Sequence, residues 1–288
     1  MTNTILVLGA TGNVGSQVVK GLVEAGANVR AAVRSLQKAA ALKSDKVSLA
    51  EFDTEKPETF DTTFADVEKV FLITTLIPNL VEVQTNLVAA AKKAGVKHIV
   101  KLSGMGAEIE PGVTMTRWHR AVEKAIEASG MSYTFVRPNG FMQNYSNFSG
   151  QTIKAQNAFY LPMGDGKVSH IDVRDIASVA AVALTQDGHA GKAYEVTGPT
   201  AISNAEIAEI ISTVVGRKID SVDVPEDTAR QEMQKSGMPD SLVDANLELY
   251  GIYKAGYAAE VTSVVEQVTG KKAISFEQFA QDSVAAFK

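Results

Sequence analysis

The chain has 288 residues, of which 45% are hydrophobic and 21% charged, and its formal net charge is -5. That length suits one large domain, or one domain with a smaller companion, and weak acidity without any basic block argues against binding nucleic acid through its phosphates. The absence of cysteine excludes disulfides, a thiolate nucleophile and cysteine-held metal, and the four histidines (His98, His119, His170, His189) stand at no metal-ligand spacing, so no metal is expected.

No stretch approaches the roughly 20 apolar residues needed to cross a bilayer. The first apolar run, Ile5–Leu8, passes at once into glycines and not into a cleavage signal. The chain is therefore read as soluble and cytoplasmic, without a membrane partner. No motif specifies an oligomeric state.

Taken in order, Ile5–Leu8, Val29–Val33, Val47–Phe52, Val70–Thr74, His98–Leu102 and Tyr133–Val136 read as short, apolar, non-alternating strands, the pattern of parallel strands covered on both faces. Helical patterns lie between them. Val14, Val18, Val19, Leu22 and Val23 share one face and end at Gly26; Leu80, Val83, Leu87, Ala91 and Ala94 do the same and end at Gly95. This alternation predicts an α/β fold with a doubly wound parallel sheet of the Rossmann type. After Pro138 the rhythm changes. Residues 139–167 carry no strong period, Val168–Val173 reads as strand or loop, a helix starts at Asp175, and Lys192–Val196 reads as a strand. From Ser203 the chain is mostly helical, with a short apolar run near Ile219–Val224. The expected division is a dinucleotide-binding domain over 1–140, with 168–198 returning to it, and a smaller, mainly helical substrate domain over 141–288, chiefly 141–167 and 199–288.

The first strand runs straight into Gly9-Ala10-Thr11-Gly12-Asn13-Val14-Gly15 and then a helix. Strand, glycine turn, helix is the context a dinucleotide fingerprint requires. Gly9 allows the tight turn, Gly12 lets backbone approach a pyrophosphate, and Gly15 lets helix pack close on strand. The helix N-terminus then offers free N–H groups and a partial positive charge. The spacing is GxxGxxG, and no lysine follows the last glycine, which excludes a triphosphate P-loop. The second strand ends in Val33-Arg34-Ser35 with Lys38 one turn on, where NAD-preferring sites carry an acid. A guanidinium there suits a 2′-phosphate, which predicts NADP(H) over NAD(H); the plain alternative is a solvated arginine. Asp53, after the third strand, is either an acceptor for the adenine amino group or a turn residue. Thr74 and Thr75 close the fourth strand at the carboxyl edge, where ligands sit in such sheets.

The glycine loop, Arg34, Lys101-Leu102-Ser103-Gly104, Arg117-Trp118-His119, Tyr133-Thr134-Phe135-Val136-Arg137-Pro138, Phe141-Met142-Gln143-Asn144, Val173-Arg174-Asp175-Ile176-Ala177 and Tyr194-Glu195-Val196-Thr197-Gly198 together resemble the NmrA-like branch of the atypical short-chain dehydrogenase/reductases. Within it, the pattern is similar to NAD(P)H-dependent quinone, azo-dye and triphenylmethane-dye reductases. The resemblance spans nearly the whole chain. It implies that Gly9, Thr11, Gly12, Asn13, Val14 and Gly15 hold the pyrophosphate, that Arg34 holds the 2′-phosphate with Lys38 nearby, and that Thr74 and Thr75 flank the ribose. It also implies Ser103 beside the nicotinamide, Pro138, Asn139, Gly140 and Phe141 along the far side of the cofactor, and no flavin.

One departure matters. Short-chain reductases usually carry Tyr-x-x-x-Lys on the helix before the sixth strand; here the lysine slot falls on His119 and the tyrosine slot on Met115, which cannot donate a proton. That argues against a ketone dehydrogenase or a sugar-nucleotide epimerase. His119 and Glu123, four apart on a helix, share a face. His119 either orients the ribose or donates a proton to a reduced acceptor, with Ser103 as the other catalytic candidate, or is a capped or surface histidine paired with a carboxylate. Trp118 and Val122 read as core. Phe141, Met142, Tyr145, Phe148 and Tyr160 form either an aromatic wall for a flat acceptor or plain packing. The expected function is NADPH-dependent reduction of a quinone, azo or related electron-poor aromatic acceptor by hydride transfer. The alternative is an NADP(H)-binding redox sensor acting through a partner protein.

Overall fold

The computed structural model describes residues 4–288. The chain divides into two compact units. The first holds the residues up to Gly112 together with Thr116–Arg137 and Ile176–Tyr194; the second holds Val113–Met115, Pro138–Asp175 and Glu195–Lys288.

The first unit carries β1 (Thr4–Val7), α1 (Asn13–Glu24), β2 (Asn28–Val33), β3 (Val47–Glu51), α2 (Phe60–Phe64), β4 (Lys69–Leu72), α3 (Leu80–Lys93), β5 (His98–Leu102), most of α4 (Thr114–Ser129) and β6 (Ser132–Pro138) as far as Arg137. The seven-stranded sheet has the order β3-β2-β1-β4-β5-β6-β8, with β8 at Lys192–Val196, and every pair from β3 to β6 is parallel. The order reverses at β1, the switch point where such sheets open a crevice at their carboxyl edge. The α/β Rossmann expectation holds, because apolar strands covered on both faces leave the chain no half-solvated alternative.

The core of this unit is built from both sheet faces. Leu6, Val70 and Ile99 pack with Leu87 of α3, Val122 of α4 and Phe135 of β6. Helix α1 seats Val14, Val18, Val19 and Leu22 inward, each such burial stabilising by about 1.5–3 kcal/mol. Trp118 packs against this core, as expected.

The second unit contains α5 (Gly150–Gln156), β7 (Ala158–Leu161), α7 (Asn204–Val215), β9 (Asp220–Asp223), α8 (Glu226–Lys235), α9 (Asp240–Lys254), α10 (Val264–Thr269) and α11 (Phe276–Asp282); α6 (Val173–Thr185) begins in it and continues in the first unit. Strand β7 is a correction to the reading of 139–167 as unpatterned. It pairs in parallel with β9, the apolar run expected near Ile219–Val224, to make a two-stranded sheet. Four residues are too short to show a period, so only the partner reveals the strand. Val168–Asp172 is loop carrying single bridges, Val168 to Ile202 and Ile171 to Phe141, and Val173 already opens α6. Ser203 caps α7 through a reciprocal capping box with Glu206.

His98 ties β5 to β6: Nδ1 lies 2.9 Å from Ser132 Oγ and Nε2 3.0 Å from Thr134 Oγ1. Burial, helped by the charge of Lys69 and by His189, lowers its pKa from 6.5 to about 4. The native state therefore keeps His98 neutral where the unfolded chain takes up a proton. Its contribution is fully present above pH 6.5 and is lost as the pH falls toward 4. Urea midpoints should drop across that window, and His98→Gln should flatten the dependence; an unchanged slope in the variant would remove His98 as its source.

Candidate active site

The glycine turn is the tightest part of the first unit. Gly9 has φ +60°, a left-handed conformation that costs a glycine little. A Cβ on Gly15 would lie 2.1 Å from the carbonyl oxygen of Gly9, so no other residue fits there, and one on Gly12 would lie 3.3 Å from the same oxygen. Gly12 caps α1 in extended conformation without a side-chain bond, and the first turn has no acidic residue. The Gly12 N–H donates to Gly9 O at 2.9 Å and the Ser16 N–H to Gly12 O at 3.0 Å. The amides of Asn13, Val14 and Gly15 between them have no backbone acceptor. Gly9, Thr11, Gly12 and Asn13 are exposed, whereas Val14 is buried and has only its amide to offer. A cradle this close to backbone, with free donors at a helix start, fits a diphosphate.

Val7 is in register with Ala31, so Gly9 and Arg34 leave neighbouring strands at the same sheet edge. Arg34 and Lys38 are both exposed there, and Lys38 donates its backbone N–H to Ser35 Oγ at 3.3 Å. Asp53 Oδ1 accepts the Glu55 N–H at 3.0 Å, closing an Asx turn. Thr74 Oγ1 accepts from the buried Gln84 amide at 2.8 Å, while Thr75 is exposed.

Ser103 requires a correction. It is buried, and its hydroxyl donates to Glu123 Oε1 at 2.7 Å, so it is not a free proton donor. Glu123, fully buried, is the hub of a charged cluster that the sequence reading missed. Arg137 binds it through both Nε and Nη2 at 2.9 Å, and Arg120 reaches Oε2 at 3.2 Å while clasping Glu127 with both terminal nitrogens. Arg137 also pairs with Glu108. Burial raises the Glu123 carboxyl, and the Ser103 hydroxyl, Lys101 and Arg120 act against that rise. The His119–Glu123 pairing, one of the two readings, does not form, because the carboxylate is taken by these donors. His119 Nδ1 instead meets Lys101 Nζ at 3.0 Å. Lys101 is wholly buried and also donates to Leu102 O at 2.9 Å. Burial pushes its ammonium well below the ordinary value; Glu123 opposes this and Arg137 adds to it. Burial and the Lys101 charge push His119 well below 6.5, so the ring is neutral. Met115 stands on α4 four residues before His119, in the tyrosine slot. A lysine in the otherwise apolar run His98-Ile99-Val100-Lys101-Leu102 was the sequence signal for this cluster: a buried cation needs a buried anion.

In the second unit, the expected aromatic wall is corrected. Met142 and Tyr145 lie in the core with Phe159, Ile207, Phe276 and Phe279. The Tyr145 hydroxyl lies 2.7 Å from Asn204 Oδ1 and 3.1 Å from His170 Nε2, which holds the ring inside. Phe141 is half-buried, Tyr160 exposed, and Phe148 79% exposed, so Phe148 is not packing either. Pro138 is buried. The side chain of Asn139 is spent inside its own unit: Nδ2 donates to Ser169 Oγ and Ala258 O, both at 2.9 Å, and Oδ1 accepts the Gly140 N–H. It therefore has no side-chain donor to offer a cofactor. Gly140 leaves no room for a Cβ, which would sit 2.9 Å from His170 Nδ1.

The NmrA-like family model matches residues 1–281. The chain is 44% identical over 283 residues to the NAD(P)H azoreductase of Xenophilus azovorans, an alignment covering 98% of this chain and 99% of that protein. It superposes on the triphenylmethane reductase of Citrobacter sp. in complex with NADP(H) with a TM-score of 0.86 and 26% identity, covering 97% and 99% of the two chains. An NADPH-dependent quinone oxidoreductase of Escherichia coli, complexed with NADPH, gives a TM-score of 0.86 and 25% identity over 96% and 99%. Among the described residues no helix is long and apolar enough to cross a membrane.

Two substitutions probe this geometry. Gly15→Ala must displace the Gly9 carbonyl and should abolish retention of the protein on an immobilised dinucleotide. Glu123→Gln removes the buried anion shared by Arg137 and Arg120 and should cost about 3–5 kcal/mol in urea unfolding; a loss below 1 kcal/mol would mean the hub contributes little.

Proposed function

The chain belongs to the NmrA-like family, and from that premise and the geometry above we propose that it reduces quinone, azo or related electron-poor aromatic acceptors at the expense of NADPH. It is an NAD(P)H-dependent oxidoreductase. Bound NADPH supplies the hydride. The observation that carries the reading is the glycine turn, closed onto Gly9 so tightly that only Gly15 fits, with three unpartnered amides at its mouth.

Each residue has a proposed task. The amides of Asn13, Val14 and Gly15 grip the pyrophosphate, with Gly9, Thr11 and Gly12 supplying a close, exposed backbone. Arg34, with Lys38, receives the 2′-phosphate and sets the preference for NADP(H) over NAD(H). Thr74, steadied by Gln84, and Thr75 flank the ribose. His119 stands where a proton is available at the carboxyl edge of β5. The absence of a tyrosine at Met115 suits acceptors whose reduction needs little acid help: for quinones and azo bonds, a weak donor or water suffices once the acceptor is held flat and desolvated. No flavin or metal takes part in this reading, and the cytoplasm, a reducing compartment, is its proposed setting.

The test combines binding and turnover. Purified protein should oxidise NADPH on addition of menadione or an azo dye, and NADH more weakly. Arg34→Ala should weaken NADPH binding by about 10–100-fold, the worth of a charge-assisted bidentate contact of about 1.5–3 kcal/mol, and leave NADH binding nearly unchanged. Equal weakening of both would remove the role given to Arg34. Tight NADPH binding with no turnover over a broad acceptor panel would favour a redox sensor instead.

A further inference from the structure

We propose that Lys101 is a positioning residue, holding His119 in the single tautomer that presents an Nε2–H at the carboxyl edge of β5 for donation to a reduced acceptor. This rests on the reading of the chain as an acceptor reductase.

Donor and acceptor capacity decides which tautomer the ring adopts. A lysine ammonium carries three hydrogens and no acceptor site. Its Nζ lies 3.0 Å from His119 Nδ1, so while Lys101 is charged that nitrogen must present a lone pair; burial lowers the Lys101 pKa to about 7 with Glu123 opposing, and the charged form prevails below that pH. The ring is neutral, and a neutral imidazole with a free Nδ1 carries its proton on Nε2. Lys101 cannot swing away, since its side chain is fully buried and its Nζ is also anchored on Leu102 O at 2.9 Å. The far side of the ring is different. Nε2 makes no hydrogen bond within the chain, and the residue as a whole is half-buried. The ring edge lies against Gly104, directly beyond β5, where a Cβ would come within 3.1 Å of Cδ2. A side chain at residue 104 would crowd the ring.

The usual reductase pair takes its lysine from the helix, one turn after the tyrosine. Here that slot holds His119, and the cation arrives from the strand beneath. The surrounding charges make such a lysine tolerable. Glu123 on α4 opposes the burial penalty, and Arg120, Arg137, Glu108 and Glu127 complete the cluster without contacting the ring. In the proton step, the acceptor oxygen or nitrogen takes the Nε2 proton while an Nζ–H of Lys101 passes to Nδ1. This leaves a neutral ring and a neutral amine. A proton from water at Nε2, with return of the Nδ1 proton to Nζ, restores both.

Long-range 1H–15N correlation on the labelled wild-type protein tests this without cofactor, His119 being assigned by the signals that His119→Gln removes. The expected result is a protonated Nε2 and a bare Nδ1 below the Lys101 pKa of about 7, where the ammonium prevails; an imidazolium or an Nδ1–H ring there overturns the inference. Lys101→Met, close in length and uncharged, should let the Nδ1–H form appear and lower kcat at least about tenfold with KM for NADPH little changed. Lys101→Arg, which keeps a permanent charge, should retain the tautomer and move the high-pH limb of the kcat profile upward. A merely structural lysine would change stability in both variants and the tautomer in neither. Should Lys101→Met fail to fold, the wild-type spectrum still decides. The wrong tautomer in a protein that turns over menadione sinks this inference alone; the right tautomer with no turnover sinks the reductase reading and leaves the ring's positioning intact.

Discussion

A Cβ on Gly15 would fall 2.1 Å from the carbonyl of Gly9, well inside any real contact. That one clearance fixes how closely α1 can approach the end of β1, and therefore where its unpaired amides point. The buried face of α1 then locks the helix against the sheet, so the phosphate-facing end is held by core packing and not by a flexible loop. Parallel register carries the effect sideways. With Val7 opposite Ala31, the end of β2 must deliver Arg34 to the same edge.

The second organising feature is the buried carboxylate of Glu123. A lone charge in a sheet-and-helix core is untenable unless it is paired and hydrogen-bonded. Four partners converge on it or beside it: Ser103 and Lys101 from the β5 region, Arg137 from β6 and Arg120 from its own helix. Together they lock α4 onto the carboxyl ends of β5 and β6. In doing so they consume the hydroxyl of Ser103 and leave His119 to Lys101. The ring beside the sheet edge is neutral and oriented because a cluster behind it has already satisfied every competing group.

Two of the residues that looked like an acceptor wall have a different fate for a related reason. Tyr145 and Met142 belong to an apolar cluster closed by Phe159, Phe276 and Phe279. Aromatic and sulfur-bearing side chains serve a core and a binding wall equally well, and composition alone does not separate the two. Asn139 is similar. An amide reads as a candidate ligand, yet its donors and acceptor are committed within a few ångströms.

Local chemistry was legible along the chain. The strand–glycine turn–helix order, the parallel sheet, the cationic end of β2, the turn at Asp53 as one of two readings and the missing tyrosine at Met115 each depend on residues near one another in sequence, where spacing and backbone geometry decide the outcome. Partnerships across the chain were not. That Glu123 serves Ser103 and two guanidiniums, that Lys101 faces His119, that β7 exists because β9 lies beside it, and that Tyr145 points into a core were decided by tertiary structure. The pairing of a buried donor with its acceptor is a property of three-dimensional proximity, and sequence spacing carries no information about it once the two residues belong to different elements.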